Sequence, residues 1–120
     1  MIKVVIERRT KEGLLKIEKP KVGDIARGNG ASLFALLHEG RAAAMKHPGY
    51  ITGETLVDTD DSSHILVVSS WQSLKDWEDF KASEVRVSID KRMEPLLAEP
   101  PKFRTYRYLS YEQAIKEAKG

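Results

Sequence analysis

Residues 50–71 read YITGETLVDTDDSSHILVVSSW, and the fold class is most clearly indicated by this part of the chain. Two runs rich in β-branched and apolar residues, 50–57 and 64–71, flank the polar segment DTDDSS at 58–63. Such runs favour strands, whereas Asp and Ser favour turns because their side chains bond to nearby backbone groups. The stretch therefore predicts an antiparallel hairpin.

Further strands are predicted near both ends of the chain. Residues 2–9 (IKVVIERR) largely alternate apolar and polar side chains, which is the period of a strand. Residues 103–109 (FRTYRYL) form the last predicted strand, after two consecutive prolines.

Helices are predicted between these strands. Residues 31–46 carry apolar side chains at spacings of three and four, and Ser32 is a candidate N-cap. Ser73 is the predicted N-cap of a second helix, with Asp76 completing a capping box. A third helix is predicted over 84–97.

The order strand, helix, strand, strand, helix, strand predicts an α+β, ferredoxin-like βαββαβ fold. Its four-stranded antiparallel sheet is expected in the order 4-1-3-2, with the helices on one face. Because the strands carry apolar residues on both faces, the other face also needs to be covered. We therefore expect a homodimer in which two sheets pack face to face.

The charge distribution gives no reason to expect a nucleic-acid partner. The chain has 20 basic and 18 acidic residues, a net charge of +2, and the two signs are interleaved. One basic group is either a polyanion site or, more commonly, a solvated edge. It comprises Arg8, Arg9, Lys11, Lys16, Lys19 and Lys21.

The chain has no cysteine, which excludes disulfides and cysteine-ligated metal sites. No apolar run approaches the roughly 20 residues that span a bilayer. The N-terminus also lacks the apolar core of a signal peptide. We therefore expect a cytoplasmic protein with no membrane partner, and no histidine pair has the spacing that predicts a metal site.

Three segments carry a family resemblance: 47–57 (HPGYITGETLV), 65–83 (ILVVSSWQSLKDWEDFKAS) and 94–109 (EPLLAEPPKFRTYRYL). Together they resemble the antibiotic biosynthesis monooxygenase domain family. The resemblance implies a homodimer, a dimeric α+β barrel, with a pocket between each sheet and its helices. The resemblance covers 1–109, the predicted domain, and departs at 11–30, a loop insertion that lies over the pocket or at an edge. Residues 110–120 follow the domain as a predicted tail or short helix.

Members of this family differ in chemistry, so the resemblance bears more on fold than on function. Some oxygenate phenols or quinols without a metal or organic cofactor, and others open haem. The haem-degrading relatives use an asparagine on strand one and a histidine on a later helix, where this chain has Glu7 and Asp90. A carboxylate is a poor ligand for haem iron, so haem degradation is disfavoured and no cofactor is expected.

Trp71 and His38 are the candidate catalytic residues. Trp71 matches a tryptophan that lines the pocket in relatives, where it would offer a flat apolar wall to an aromatic ligand. A core tryptophan is the alternative. His38, on the first predicted helix, is a candidate base for deprotonating a phenol, although an exposed or locally bonded histidine is commoner there.

Four further residues are candidates for substrate binding. Arg41 and Glu54 form a candidate pair, because a buried arginine on the first helix needs a carboxylate, and a structural salt bridge is the alternative. Arg86 loosely matches an arginine that holds a substrate oxygen in a relative. Tyr50 offers a ring and a phenol that can contact a ligand.

Two classes of function therefore remain open from the sequence. One is a cofactor-independent monooxygenase acting on a small aromatic or quinol substrate. The other is a non-catalytic dimeric module that binds a small ligand or is structural. An enclosed pocket that touches Trp71 and contains a titratable group would favour the first, and a space filled by side chains would favour the second.

Overall fold

The computed structural model describes residues 1–11 and 33–119. The elements are β1 (Ile2–Arg9), α1 (Leu33–Met45), β2 (Tyr50–Val57), β3 (His64–Trp71), α2 (Leu74–Lys81), α3 (Glu84–Met93), a 3-10 turn (Glu94–Leu96), β4 (Lys102–Arg107) and α4 (Tyr111–Lys119). The predicted cap Ser32 and nearly all of the predicted insertion at 11–30 lie outside the described residues. Among the described helices, none is both long and apolar enough to cross a membrane.

The four strands form one antiparallel sheet in the order β2-β3-β1-β4. This is the predicted order 4-1-3-2, so the ferredoxin-like α+β fold is confirmed. The hairpin between β2 and β3 turns where Asp58 Oδ1 accepts hydrogen bonds from the backbone amides of Asp60 and Asp61 at 2.8 and 3.2 Å. This side chain replaces backbone partners that the turn leaves unpaired.

Two predicted boundaries differ from the structure. The helix expected over 84–97 ends at Met93 and is followed by a 3-10 turn that contains Pro95. Proline has no amide hydrogen and crowds the preceding turn, so the α-helical ladder stops there. The last strand covers Lys102–Arg107 and not 103–109.

The predicted cap of α2 is confirmed. Ser73 Oγ accepts a hydrogen bond from the amide of Asp76 at 3.1 Å, and the same hydroxyl donates to Asp76 Oδ2 at 2.9 Å. The carboxylate also lies in the first turn, where it interacts favourably with the positive end of the helix. Local sequence therefore sets where α2 begins, beside the end of β3.

Helices α1, α2 and α3 cover one face of the sheet and form two buried clusters with it. The first joins α1 and α3 to the start of β3, through residues such as Leu37, Ile89 and Ile65. The second is aromatic and joins α2 to β1 and β3, through Trp77 and Trp71. The candidate site lies between these two clusters.

The opposite face of the sheet has no covering layer among the described residues. Side chains alternate across a strand, so Val5, Leu66 and Val68 point away from the helices. Leu56 and Tyr106 lie on the same face and are 44% and 50% exposed. This apolar surface is what the predicted dimer would bury, and the dimer itself stays a prediction.

The Pro-Gly turn between α1 and β2 provides a first test. Gly49 has φ +90°, and a Cβ there would lie 2.3 Å from Oδ2 of Asp76. We expect Gly49→Ala to lower the free energy of unfolding by about 2 kcal/mol, because both strain and a displaced capping residue result. Urea unfolding followed by circular dichroism measures this change.

Gly40→Ala is the matched control. Gly40 lies inside α1, and the atom nearest to an added Cβ is Ile89 Cγ2 at 3.9 Å. Alanine is the better helix former, so this variant should be more stable than wild type by about 0.5–1 kcal/mol. Equal effects of the two substitutions would contradict the role assigned to the turn.

Candidate active site

A narrow pocket lies between the sheet and helices α1, α2 and α3. Its cavity volume is about 40 Å³. Because one water molecule needs about 10–15 Å³ on this scale, the pocket has room for about three waters. One part of its wall is aromatic and comprises Tyr50, Trp71, Trp77 and Phe80.

Trp71 belongs to both the core and the pocket wall. It is only 1% exposed, and Phe80 stacks on it with ring centroids 5.3 Å apart and an interplanar angle of 29°. Its Nε1 donates a hydrogen bond to Ser69 Oγ at 3.0 Å. Because Phe80 occupies one ring face, the flat wall expected from the sequence is only partly available to a ligand.

An irregularity in β2 sets the position of Tyr50. The register shifts between Tyr50 and Thr52, so Tyr50 pairs with Trp71 across the hairpin. The two rings meet edge to face at 5.4 Å. A Cβ on Gly53 would lie 2.7 Å from Tyr50 Oη, so glycine at this position leaves room for the phenol.

Arg41 lines the pocket, but the predicted pair with Glu54 is wrong. Arg41 Nη2 donates to Thr55 Oγ1 at 2.9 Å. Thr55 pairs with Val67 on the helix-facing side of the sheet, whereas Glu54 is exposed on the opposite side. Adjacent residues of a strand point to opposite faces of the sheet. Because Thr55 faces α1, Glu54 faces away from it.

Arg86 is the most constrained polar residue of the site. It is 6% exposed, and its guanidinium lies 5.6 Å from the ring centroids of both Trp77 and Phe80. Its Nε donates to Asp90 Oδ1 at 2.9 Å, while its Nη2 is buried with no hydrogen-bond partner. A buried donor without an acceptor is costly. Nε of Arg92, on the same helix but outside the pocket, is a second case, so the position of Arg86 in the pocket wall is what relates its free donor to a ligand.

Arg8 is a pocket residue that the sequence analysis missed. It was grouped with a basic surface patch, yet it is 3% exposed and lines the pocket with Arg41 and Arg86. Burial and the neighbouring charge of Arg86 lower the pKa of Arg8 to about 10. The available signal was alternation in β1, which puts Arg8 on the same face as Val4 and Ile6.

The histidines lie elsewhere. His38 is exposed on α1 and does not line the pocket, so this geometry gives no support to its prediction as the general base. His47 packs behind the pocket, with its ring centroid 5.4 Å from that of Phe80 and 6.0 Å from that of Trp71. Of the described lining residues, none is a histidine or a carboxylate.

The site thus combines four predicted residues with one that was not predicted. Tyr50, Trp71, Arg41 and Arg86 line one pocket, as does Arg8. Within residues 1–11 and 33–119, no three His, Asp or Glu side chains cluster in a way that could hold a metal ion. The arrangement offers flat apolar contact beside positive charge, which suits an aromatic ring bearing an anionic oxygen.

Comparison with known families and structures agrees with this architecture. The family described as Antibiotic biosynthesis monooxygenase matches residues 24–109. No sequence among the curated proteins matches the chain.

Similar solved structures share the fold at low sequence identity. A putative antibiotic biosynthesis monooxygenase from Nitrosomonas europaea is 14% identical with a TM-score of 0.67, covering 92% of this chain and 100% of its own. SnoaB, a cofactor-independent oxygenase from Streptomyces nogalater, is 8% identical with a TM-score of 0.69, covering 91% and 93%. A putative antibiotic biosynthesis monooxygenase from Bordetella bronchiseptica is 15% identical with a TM-score of 0.67, covering 91% and 97%.

Substitutions of Trp71 separate its structural role from its place in the pocket. We expect Trp71→Ala to lower the free energy of unfolding by about 3–5 kcal/mol, because it leaves a cavity among packed rings. Trp71→Phe retains a ring but loses the hydrogen bond to Ser69, and we expect a loss of about 1–2 kcal/mol. Both values follow from urea unfolding monitored by circular dichroism.

Ser69→Ala is the control for the lost hydrogen bond, since it removes the acceptor and keeps the indole in place. It should cost about as much as Trp71→Phe. A Trp71→Ala variant as stable as wild type would show that the indole is not part of the core.

Proposed function

Since this chain belongs to the antibiotic biosynthesis monooxygenase family, we propose that it is a cofactor-independent monooxygenase that oxidises a small aromatic or quinol substrate. One observation carries the proposal: an aromatic pocket containing Trp71 has a buried Arg86 with an unpartnered donor in its wall. The description of SnoaB as a cofactor-independent oxygenase supports the same reaction class.

The substrate ring binds in the narrow pocket, against Tyr50 and the accessible part of Trp71. The cavity volume of about 40 Å³ favours one ring over a polycycle, and even one ring requires side chains to move. Met93 and Arg41 are the adaptable lining residues, because both are unbranched and flexible. Trp71 and Phe80 are held by their mutual stacking and move less.

Positive charge takes the place of a general base in this mechanism. Arg8, Arg41 and Arg86 line the pocket, and a nearby cation stabilises an ionised phenol relative to its neutral form. The phenol proton leaves to water as the substrate binds, and the buried arginines hold the resulting anion. Charge–charge attraction is strong here because the pocket is largely shielded from solvent.

The anion then supplies the electrons that reduce dioxygen. One oxygen atom of dioxygen bonds to a ring carbon, and the C–H bond of that carbon breaks. The other oxygen atom takes up two protons and leaves as water. A phenol and dioxygen thus yield a quinone and water, with four electrons passing from the ring to the two oxygen atoms. The protein contributes orientation and a dry, positively charged surrounding.

A non-catalytic ligand-binding module is the second candidate. The observation that favours it is the lack of any histidine or carboxylate among the described lining residues. Such a module would bind the same class of anion and catalyse no oxygen uptake. Binding and turnover therefore need to be measured separately.

Oxygen consumption with a panel of one-ring and two-ring quinols tests the proposed enzyme. We expect turnover above the rate without protein, and a loss of about 10- to 100-fold in kcat/KM for Arg86→Met, because a charge-assisted contact to the anion is removed. Arg92→Gln is the matched control: it lies on the same helix but bonds Glu39 outside the pocket.

The outcomes separate the alternatives. No turnover across the panel, with binding retained, supports the ligand-binding module. A large loss of turnover in His38→Ala would show that a histidine acts as the base and would contradict the arginine mechanism.

We also propose that the protein is a homodimer in the cytoplasm, where its lack of cysteine fits the reducing conditions. The dimer would bury the sheet face that carries Leu66, Val68 and Tyr106. An apolar sheet face exposed to water is unfavourable, and a two-fold copy of the same face covers it.

Val68→Lys tests this dimer. Val68 lies on the uncovered face between Val5 and Glu54, so a lysine there would lose hydration when a second sheet covers this face. We expect sedimentation velocity to show monomers for Val68→Lys and dimers for wild type. Leu74→Lys, an exposed position on α2, should remain dimeric, and monomeric wild-type protein would overturn the proposal.

A further inference from the structure

Two buried guanidinium groups meet in the pocket wall. Arg8 comes from β1 and is 3% exposed, and Arg86 comes from α3 and is 6% exposed. They are close enough for the charge of Arg86 to lower the pKa of Arg8, which at about 10 still leaves Arg8 protonated at neutral pH. Both therefore carry a positive charge when the pocket is empty.

Nearby negative charge does not balance this pair. Asp90 bonds Arg86 Nε, and its side chain is 32% exposed, so water screens part of its charge. The third pocket arginine, Arg41, bonds the neutral Thr55. Asp90 also faces Arg8, where its charge raises the pKa and partly offsets burial and the charge of Arg86. Among the described residues it is the one carboxylate that acts on both guanidinium groups, and a single screened charge does not offset two.

The hydrogen-bond inventory gives the same result. Arg86 Nη2 is buried and has no acceptor, although its residue is otherwise held by Asp90 and by the rings of Trp77 and Phe80. Arg8, in the same pocket wall, adds a second guanidinium to this side of the pocket. Aromatic faces partly compensate a cation but accept none of its directional hydrogen bonds.

We propose that the ligand of this pocket is an aromatic acid whose carboxylate binds between Arg8 and Arg86 and whose ring lies against Tyr50 and Trp71. The inference rests on the proposed function in sharing its pocket, and it specifies the substrate class. A planar carboxylate matches the geometry of a guanidinium and can accept from both arginines at once. A carboxylate is charged before it binds, whereas a phenol must first lose its proton. With the carboxylate between Arg8 and Arg86, Arg41 is the arginine left to stabilise a phenolate on the same ring.

A structural role for the two arginines would have different consequences. Residues that only stabilise the fold are satisfied within it, and removing one lowers stability. Replacing an uncompensated buried cation has the opposite effect on stability. An apolar side chain of similar length at that position raises the free energy of unfolding and removes ligand binding. Arg8→Met separates the two roles, since methionine fills a similar path without charge.

Isothermal titration of the full chain with benzoate, benzamide and acetate tests the inference. Benzamide has the shape of benzoate without its charge, and acetate has the charge without the ring. We expect benzoate to bind about tenfold more tightly than either compound. Arg8→Met and Arg86→Met should abolish the preference for benzoate over benzamide, and Arg92→Gln should retain it.

Thermal unfolding of the same proteins is the second readout. We expect Arg8→Met to raise the Tm by about 4 °C in the absence of ligand, because a buried unpaired charge is removed. Benzoate should raise the Tm of wild type and leave that of Arg8→Met unchanged. A lowered Tm in Arg8→Met would indicate the structural role and overturn the inference.

The comparison of the three ligands uses only the wild-type protein. It therefore tests the aromatic-acid inference even where a variant fails to fold. Benzamide binding as tightly as benzoate, acetate binding as tightly as benzoate, or no saturable benzoate binding would each overturn the inference. Oxygen uptake is measured apart from this. If the protein oxidises neutral quinols but shows no preference for benzoate, the aromatic-acid ligand is wrong and the oxygenase activity stands. If it prefers benzoate but oxidises no quinol, the oxygenase activity is wrong and the aromatic-acid ligand stands.

Discussion

Neighbouring side chains on a strand point to opposite faces of the sheet, and the composition of the pocket depends on this alternation. On β1 it carries Arg8 to the helix-facing side with Val4 and Ile6. On β2 it brings Thr55 to α1 and sends Glu54 to the other side. A shift of one residue in β1 would turn Arg8 out of the pocket, and the same shift in β2 would exchange Thr55 for Glu54.

The aromatic cluster makes it possible to bury this charge. Trp77 and Phe80 lie under Arg86, and their ring faces stabilise a cation without neutralising it. Phe80 also stacks on Trp71, so the same ring holds the arginine and the pocket wall. The site is therefore rigid on its aromatic side and adjustable at Arg41 and Met93, which fits a pocket that must widen around a ring.

One face of the sheet lines the pocket, and the other carries the proposed dimer contact. The described lining of the pocket lies on the helix side of the sheet. The proposed dimer contact lies on the other side, through residues such as Val68. Only the thickness of one sheet separates them, because Val67 and Val68 are adjacent in β3 and face opposite ways, so interface substitutions can also alter the packing beneath the pocket.

Local patterns in the sequence determined the elements and their order. Both strands of the hairpin match their predicted bounds, and Ser73 caps α2 as predicted, since turn and cap chemistry involve residues close in the chain. Tertiary packing decided the charges of the site. Arg8 and Arg86 are 78 positions apart by their numbers and come into one pocket wall only when α3 packs over the sheet. Whether a guanidinium is solvated or buried without a partner depends on neighbours that are distant in the chain. The local periodicity of apolar residues carries no information about them.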